Sequence, residues 1–192
     1  VLFRSLAENS NSVLKQLEDE IPRIVVWGSQ SSGKSTVLNR MFGLKDDYEL
    51  IAHDEMATKC VCELRISPTY DTRIYAELEN GAIQNVDSFK VAQNCLKEET
   101  DLINAKIIYE IKSNSDPLII VDVPGCIASD KENETYMNKL YNNYLNKPNT
   151  TILHVTRADV DPKNDISTRY LQAISLNSNI IKRSEEHTSE LQ

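Results

Sequence analysis

Residues 28–35 have the types and the spacing of a phosphate-binding loop. They read GSQSSGKS, which fits the pattern G-x-x-x-x-G-K-[S/T]. Glycine lets such a backbone turn until successive N–H groups point inward at phosphate oxygens, and the helix that follows adds partial positive charge. Lys34 would then reach the β- and γ-phosphates, and the Ser35 hydroxyl would coordinate Mg²⁺. The alternative is a glycine- and serine-rich turn that carries a surface lysine.

A second motif follows in residues 118–125, which read LIIVDVPG. An apolar strand ends at Asp122, and the D-x-x-G arrangement would place its carboxylate in the Mg²⁺ shell and the Gly125 N–H at the γ-phosphate. Asp-x-Pro-Gly is also ordinary turn chemistry, so the motif gains its meaning from the loop upstream. Three of the five glycines, Gly28, Gly33 and Gly125, fall in these two motifs, where the backbone must approach a ligand closely.

Hydrophobic periodicity predicts the elements that position these motifs. A strand over residues 24–27 precedes the loop, and a helix over residues 34–42 follows it, with Gly43 as its C-cap. Further predicted strands cover residues 60–66, 72–78, 107–111, 118–121 and 151–155, and further predicted helices cover residues 6–20, 89–103, 132–145 and 166–176. The alternation predicts an α/β fold. The two motifs identify it as the P-loop NTPase type, for which we expect three layers and a mixed, mostly parallel sheet. The strand pairs within 60–78 and within 107–121 are predicted to be antiparallel additions.

Composition bounds the class of protein. The chain of 192 residues is of a size for one domain, and its net charge of −8 argues against a broad nucleic-acid surface. No apolar run approaches the roughly 20 residues that span a bilayer. Cys60 and Cys62 are predicted to point to opposite faces of one strand, and they, Cys95 and Cys126 are interpreted as reduced thiols of a cytosolic protein.

The two ends resemble non-native sequence. Residues 1–5 read VLFRS and residues 183–192 read RSEEHTSELQ, and both strings match in-frame translations of sequencing-adapter DNA. Residues 6–182 are therefore predicted to be one partial domain, truncated at its C-terminal side.

The two motifs together resemble those of the dynamin family of large GTPases. GSQSSGKST is similar to the dynamin P-loop, DVPG to the family's D-L-P-G, and residues 89–104, FKVAQNCLKEETDLIN, to a dynamin segment that contains E-x-E-T-D. The resemblance runs from about residue 6 to residue 176. It implies GTP and Mg²⁺ as cofactors.

Matched position by position, the resemblance also implies roles for single residues. Gln30 would orient the attacking water, Ser31 would contact phosphate and a charge-compensating cation, and Thr58 would close on Mg²⁺ and the water. Ser35, Thr58 and Asp122 would form the metal set. The implied nucleotide-binding set is Gly28, Ser29, Gln30, Ser31, Ser32, Gly33, Lys34, Ser35, Thr36, Asp122 and Gly125. Two departures, Glu55 for the usual glycine and Val61 for a frequent proline, bear on the region of Thr58.

Residues 156–159 read TRAD and imitate the guanine-reading pattern [NT]-K-x-D. Arg157 stands where that pattern has lysine, and a further βα unit should lie between Asp122 and a true base-reading strand. Asp159 is therefore interpreted as outside the base site, which is predicted to lie beyond residue 182.

The resemblance implies GTP hydrolysis coupled, in the intact protein, to membrane remodelling or fission. It further implies self-assembly through GTPase-domain dimers and a helical stalk, contact with membrane lipid and with microtubules, and a cytoplasmic, peripherally membrane-associated location. No nucleic-acid partner is expected. Two alternatives remain open: a P-loop ATPase of another branch, and a nucleotide-binding interaction module without turnover.

Overall fold

The computed structural model describes residues 19–50, 60–96, 105–126 and 131–177. Seven strands lie in these ranges: β1 (Arg23–Trp27), β2 (Val61–Ser67), β3 (Arg73–Glu77), β4 (Ile83–Val86), β5 (Lys106–Lys112), β6 (Leu118–Asp122) and β7 (Thr150–His154). Four α-helices accompany them: α1 (Lys34–Phe42), α2 (Phe89–Cys95), α3 (Lys131–Leu140) and α4 (Ile166–Asn177). A 3₁₀ turn at Asp46–Tyr48 follows α1, and a π-helical turn at Tyr141–Leu145 extends α3.

The strands form one mixed sheet in the order β4-β3-β5-β2-β6-β1-β7. β1 is parallel to both of its neighbours, β6 and β7, and β2 is parallel to β5. β2 is antiparallel to β6, and β3 is antiparallel to both β4 and β5. The predicted mixed α/β fold is thereby confirmed, with β1 and its loop near the middle of the parallel part.

The predicted antiparallel pairs within residues 60–78 and within residues 107–121 are wrong. β5 lies between β2 and β3, and β2 lies between β5 and β6, so neither pair of sequence neighbours is a pair of sheet neighbours. Burial explains this strand order. Ile107, Ile108 and Tyr109 of β5 alternate between the two faces of the sheet, and all three are buried. A strand that is apolar on both faces is stabilised in the interior of a sheet. β5 therefore lies between β2 and β3 rather than at an edge beside its sequence neighbour.

Helices cover both faces of the sheet. Alternate residues of β1 accordingly pack into two hydrophobic clusters, one on each face. Val26 packs with Leu38 of α1 and Phe89 of α2 on one face. Val25 and Trp27 pack with Leu140 of α3 on the other face. The result is the predicted three-layer arrangement, with the end of β1 held from both sides.

The predicted helix over residues 34–42 has the observed bounds of α1, and Gly43 caps it with φ 62° and an N–H bond to Asn39 O. The strand β4 was not predicted, because Ile83–Val86 carries two amides and lies exposed at the sheet edge. Most of the predicted helix over residues 6–20 and the EETD segment lie outside the described residues. Among the helices of the described ranges, none combines the length and apolarity needed to cross a bilayer.

The cysteine prediction needs one correction. Cys60 and Cys62 belong to the same core cluster, because residues two apart on a strand share a face. All four cysteines have free thiols.

Candidate nucleotide-binding site

The loop of residues 28–33 leaves the carboxyl end of β1 and enters α1. Ser31 has φ 57° and Gly33 has φ 92°, so left-handed residues turn the chain twice within the loop. Such turns direct main-chain N–H groups inward and form an anion-binding concavity. Among the described residues, α1 has no side-chain N-cap bond and no acidic residue in its first turn. The N-terminal end of such a helix favours an anionic ligand.

The Lys34 side chain lies inside this loop. Its Nζ donates to the carbonyl oxygen of Ser29 at 3.0 Å and to that of Gly28 at 3.3 Å. Burial lowers the pKa of Lys34, and the nearby Asp122, Cys126 and Asp165 oppose that effect. Lys34 is only 6% exposed, and an ammonium group in such a poorly solvated place has a strong electrostatic attraction for phosphate. The surface lysine of the alternative interpretation is thus excluded.

Ser35 and Asp122 meet at the start of α1 and the end of β6. Ser35 Oγ donates to Asp122 Oδ2 at 2.7 Å. The other carboxylate oxygen, Asp122 Oδ1, is buried and has no hydrogen-bond partner among the described residues. Burial raises the pKa of Asp122 to about 6, against the opposing effects of the Ser35 hydrogen bond and the Lys34 charge. A hydroxyl and a carboxylate with a spare, dehydrated oxygen fit Mg²⁺, which takes one or two protein oxygens and completes its shell with water and phosphate.

Two glycines allow backbone segments to touch at this site. A Cβ on Gly125 would lie 2.6 Å from both N and Cα of Gln30 and 2.9 Å from Lys34 Nζ. A Cβ on Gly28 would collide with the carbonyl oxygen of Val155 and lie 2.7 Å from Ser32 Oγ. Gly28 and Gly125 therefore permit close packing of the P-loop against the segments after β6 and β7.

Cys126 holds the loop through its main chain. Its N–H donates to Gly28 O at 3.0 Å, and its carbonyl oxygen accepts the Gln30 N–H at 3.0 Å. Sequence reasoning considered Cys126 only as a reduced thiol. Its backbone role has no residue-type signal, because any residue supplies these two groups.

The residue that sequence reasoning missed altogether is Asp165. Ser29 Oγ donates to both of its carboxylate oxygens at 2.7 Å, across 136 positions of the chain. Burial raises the pKa of Asp165, but the hydrogen bonds from Ser167 and Ser29 lower it by more. The pKa of Asp165 therefore lies below its usual value. Its one signal in the sequence is its place directly before α4, which is the place of an N-cap.

The remaining predicted residues differ in environment. Gln30 and Ser31 are exposed at the mouth of the loop, Ser32 and Thr36 are partly buried, and Ser32 Oγ has no hydrogen-bond partner among the described residues. Thr58, with Glu55, lies outside the described residues. The predicted roles of these side chains in binding and turnover remain predictions.

Asp159 has the environment expected of a residue outside a base site. Its carboxylate pairs with its neighbour Arg157, with 2.5 Å between Nη2 and Oδ2, and the Asp159 side chain is 64% exposed. The pair lies on the surface after β7.

Comparison with known proteins assigns the family. The sequence model of the Dynamin family matches residues 24–181. The chain belongs to the dynamin family. The match covers both motifs and the strands that carry them, from β1 to β7.

The chain is similar to several dynamin-like proteins along most of its length. It is 34% identical over 158 residues to "Dynamin-like GTPase MGM1, mitochondrial" of Saccharomyces cerevisiae, covering 75% of this chain and 18% of that protein. It is 29% identical over 189 residues to "Dynamin-like GTPase msp1, mitochondrial" of Schizosaccharomyces pombe, covering 88% and 20%. It is 30% identical over 166 residues to "Phragmoplastin DRP1A" of Arabidopsis thaliana, covering 79% and 27%. The chain thus spans between 18% and 27% of the length of these three relatives.

Two solved structures of bacterial dynamins also align with the dynamin chain described here. Both come from work on an oligomerised bacterial dynamin pair that senses and tethers membranes at long range. One gives a TM-score of 0.43 at 20% identity, over 70% of this chain and 21% of that chain. The other gives a TM-score of 0.44 at 15% identity, over 82% and 29%. At these TM-scores the likeness decides nothing, and membership of the family rests on the family model.

Proposed function

We propose that this chain binds and hydrolyses GTP with the loop of residues 28–35. The observation that carries the proposal is Lys34, which is buried in the loop at the carboxyl end of β1 and whose Nζ donates to Ser29 O at 3.0 Å. Family membership supports GTP as the nucleotide, since the curated relatives are named as GTPases.

Binding would exchange one set of oxygens around Lys34 for another. Its Nζ rests on the carbonyl oxygens of Gly28 and Ser29, which are neutral acceptors. Phosphate oxygens carry full charge and are stronger acceptors, so the ammonium would turn toward the triphosphate. The first amides of α1 lie beside Lys34 and would bind the same phosphate oxygens.

Ser35 and Asp122 would hold Mg²⁺. When bound, the ion would neutralise the negative charge that develops on the phosphate during phosphoryl transfer. The chain contributes a buried carboxylate whose second oxygen has no other hydrogen-bond partner among the described residues.

Gln30 would orient the attacking water together with Thr58, and Ser31 would contact phosphate and a charge-compensating cation. Gln30 is exposed at the loop mouth, and its main-chain N–H donates to Cys126 O at 3.0 Å, which fixes the backbone from which its side chain extends. Cys126 follows Gly125 where a glutamine would otherwise orient the water, and this leaves the task to Gln30.

The test of binding compares two lysines in the full-length protein. Lys34→Ala should weaken binding of Mg·GTP more than about a hundredfold, because a charge-assisted contact in a desolvated site is lost. Lys45→Ala removes an exposed lysine that follows the same helix, and should leave the affinity unchanged. Titration of a fluorescent GTP analogue measures both, and equal affinity of the two variants would contradict the proposal.

The test of turnover compares two exposed glutamines. Gln30→Ala should keep GTP affinity and lower kcat by about a hundredfold, the cost of removing one positioned group that acts in the transition state. Gln84→Ala, on the exposed edge strand β4, is the matched control. A Gln30→Ala variant with full kcat would remove Gln30 from the mechanism.

Competition between nucleotides tests the choice of base. Excess unlabelled GTP should displace the fluorescent analogue at concentrations far below those needed for ATP. Equal displacement by ATP would favour the ATPase alternative, and binding without phosphate release would favour the module without turnover.

Membrane remodelling, self-assembly and a cytoplasmic location at a membrane surface are proposed for the intact protein from family membership alone. Sedimentation of the full-length protein with and without anionic vesicles, in the presence of a non-hydrolysable GTP analogue, tests both assembly and lipid contact. A monomer that ignores vesicles under all nucleotide conditions would contradict this part.

A further inference from the structure

The first three residues of the P-loop are each bound by a segment far away in sequence. Gly28 O and the Gln30 N–H bond to the main chain of Cys126 at 3.0 Å each. Between them, Ser29 turns its hydroxyl the other way and donates to the carboxylate of Asp165 at 2.7 Å. The loop is therefore fixed on one side by the segment after β6 and on the other side by the start of α4.

Asp165 is itself rigidly placed. It is 4% exposed and accepts the Ser167 N–H at 2.8 Å, which makes it the N-cap of α4. It also accepts the Ser167 hydroxyl. Ser167 in turn connects to both neighbouring strands, because its carbonyl oxygen accepts Trp27 Nε1 at 3.0 Å and its hydroxyl lies 2.7 Å from His154 Nε2. The carboxylate that Ser29 meets is thus anchored to α4, β1 and β7 together.

Ser29 passes this anchoring to the lysine. Its hydroxyl is held by Asp165, while its carbonyl oxygen accepts Lys34 Nζ at 3.0 Å. Ser29 therefore contacts Asp165, the N-cap of α4, with its side chain and the Lys34 ammonium with its main chain. Movement of Ser29 would displace both the first turn of the loop and the resting place of Lys34.

We propose that Asp165 is a positioning residue for the nucleotide site, which holds the P-loop in its binding shape through the hydroxyl of Ser29. The inference rests on the proposed function, since the readout is nucleotide binding. A loop that is already shaped for its ligand loses less conformational freedom on binding, and the gain appears as affinity. Without the Ser29–Asp165 contact, only a fraction of molecules would present the binding shape, and the apparent affinity would fall by that fraction.

A double-mutant cycle tests the route through Ser29. Asp165→Ala and Ser29→Ala should each weaken Mg·GTP binding about tenfold, the order expected for loss of a hydrogen bond to a charged group. The double variant should be no weaker than the weaker single variant, because both changes break the same contact. Losses that multiply to about a hundredfold in the double variant would overturn the proposal, since Asp165 would then act by another route.

A matched control separates positioning from helix stability. Ser167→Ala removes a hydroxyl from the same network but keeps the Ser167 N–H cap and the Ser29–Asp165 contact. It should lower the melting temperature and leave GTP affinity within about twofold of wild type. If Ser167→Ala weakens binding as much as Asp165→Ala, the effect follows the packing of α4, and the proposal fails.

A milder variant covers the case in which Asp165→Ala does not fold. Asp165→Asn keeps the size and the capping ability of the side chain but has only one acceptor oxygen for its three donors. It should fold and still weaken GTP binding severalfold, again with no added loss in the Ser29→Ala background. Lys34→Ala separates the proposed function from the positioning role of Asp165. If Lys34→Ala binds GTP normally, the proposed function fails. If Lys34→Ala does not bind GTP but Asp165→Asn binds it like wild type, only the positioning role fails.

Discussion

The Ser35 hydroxyl donates a 2.7 Å hydrogen bond to the Asp122 carboxylate across 87 positions of the chain. The contact joins the two sequence motifs at one point, where α1 begins and β6 ends. Burial raises the pKa of Asp122 to about 6, so the charged form of this carboxylate lacks solvation. A dication supplies what the buried carboxylate lacks, and the pair is therefore suited to bind Mg²⁺ together with phosphate.

Asp122→Asn should raise the Mg²⁺ concentration that half-activates GTP hydrolysis by at least about tenfold, as the loss of a metal-site partner typically does. The amide keeps the shape of the side chain but not its charge. Asp116→Asn, an exposed change just before β6, should leave the Mg²⁺ requirement as it is. Hydrolysis measured across a Mg²⁺ series at fixed GTP gives both values, and coinciding curves would remove Asp122 from the metal site.

Gly125→Ala should impair nucleotide binding, because its Cβ would lie 2.6 Å from Gln30 N and force the P-loop away from the segment after β6. We expect a loss of GTP affinity of about tenfold or more, from a backbone displacement at the ligand. Gly81→Ala strains a turn between β3 and β4, where φ is 81°, and should cost about 1 kcal/mol of stability without affecting binding. The check is calorimetric titration beside thermal unfolding; normal binding by Gly125→Ala would show that the loop tolerates the displacement.

Lys106→Met should reduce stability and make the protein more sensitive to acid. Glu63 is 5% exposed, with its carboxylate 3.1 Å from Lys106 Nζ and 2.7 Å from Arg65 Nη2. Burial raises the pKa of Glu63, but Lys106 and Arg65 lower it further, so the folded value lies below the ordinary 4.5. The carboxylate therefore contributes stability above about pH 4.5, and this contribution is lost as the pH falls through the folded pKa.

Removal of Lys106 raises the pKa of Glu63, so the loss of stability should begin at a higher pH than in wild type. At pH 7 the expected cost is about 1–3 kcal/mol, since Arg65 still pairs with Glu63. Lys112→Met, an exposed change at the end of the same strand, is the control. Urea unfolding between pH 3 and pH 7 would contradict the prediction if the two variants share one pH profile.

Asn39→Ala should loosen the start of the segment that leads toward Thr58. The Asn39 side chain donates to Leu50 O at 2.7 Å and accepts the Leu50 N–H at 2.9 Å, so it pairs both main-chain groups of Leu50. Leaving both groups unpaired in a buried place should cost about 2–4 kcal/mol. Hydrogen exchange of the Leu50 amide should be faster in Asn39→Ala and unchanged in Asn85→Ala, a variant on the exposed strand β4. An unchanged Leu50 rate in Asn39→Ala would show that Asn39 does not hold Leu50 in place.

The site was largely predictable because its chemistry is local. The loop, its lysine and the helix after it are consecutive in sequence. Both ends of α1 were predicted because Gly33 precedes and Gly43 follows its apolar pattern. Asp122 was predicted because an apolar run ends at a carboxylate. Main-chain amides and neighbouring side chains need no distant partner to be recognised.

What could not be predicted depends on residues far apart. The place of β2 between β5 and β6 follows from a competition for the sheet interior, which a strand's own periodicity does not express. Asp165 meets Ser29 only because β7 lies beside β1, and nothing near Asp165 in sequence indicates that neighbour. The prediction for Cys60 and Cys62 failed for a simpler reason, because residues two apart on a strand share a face.

The strand order also governs when the site can exist during synthesis. Of the strands that the structure describes, β1 is made first, yet the two strands that flank it, β6 and β7, are made about a hundred residues later. At a translation rate of roughly 5–20 residues per second, the nascent P-loop waits many seconds for its walls. The proposed nucleotide site is therefore assembled only late in synthesis, once β6 and β7 have paired with β1.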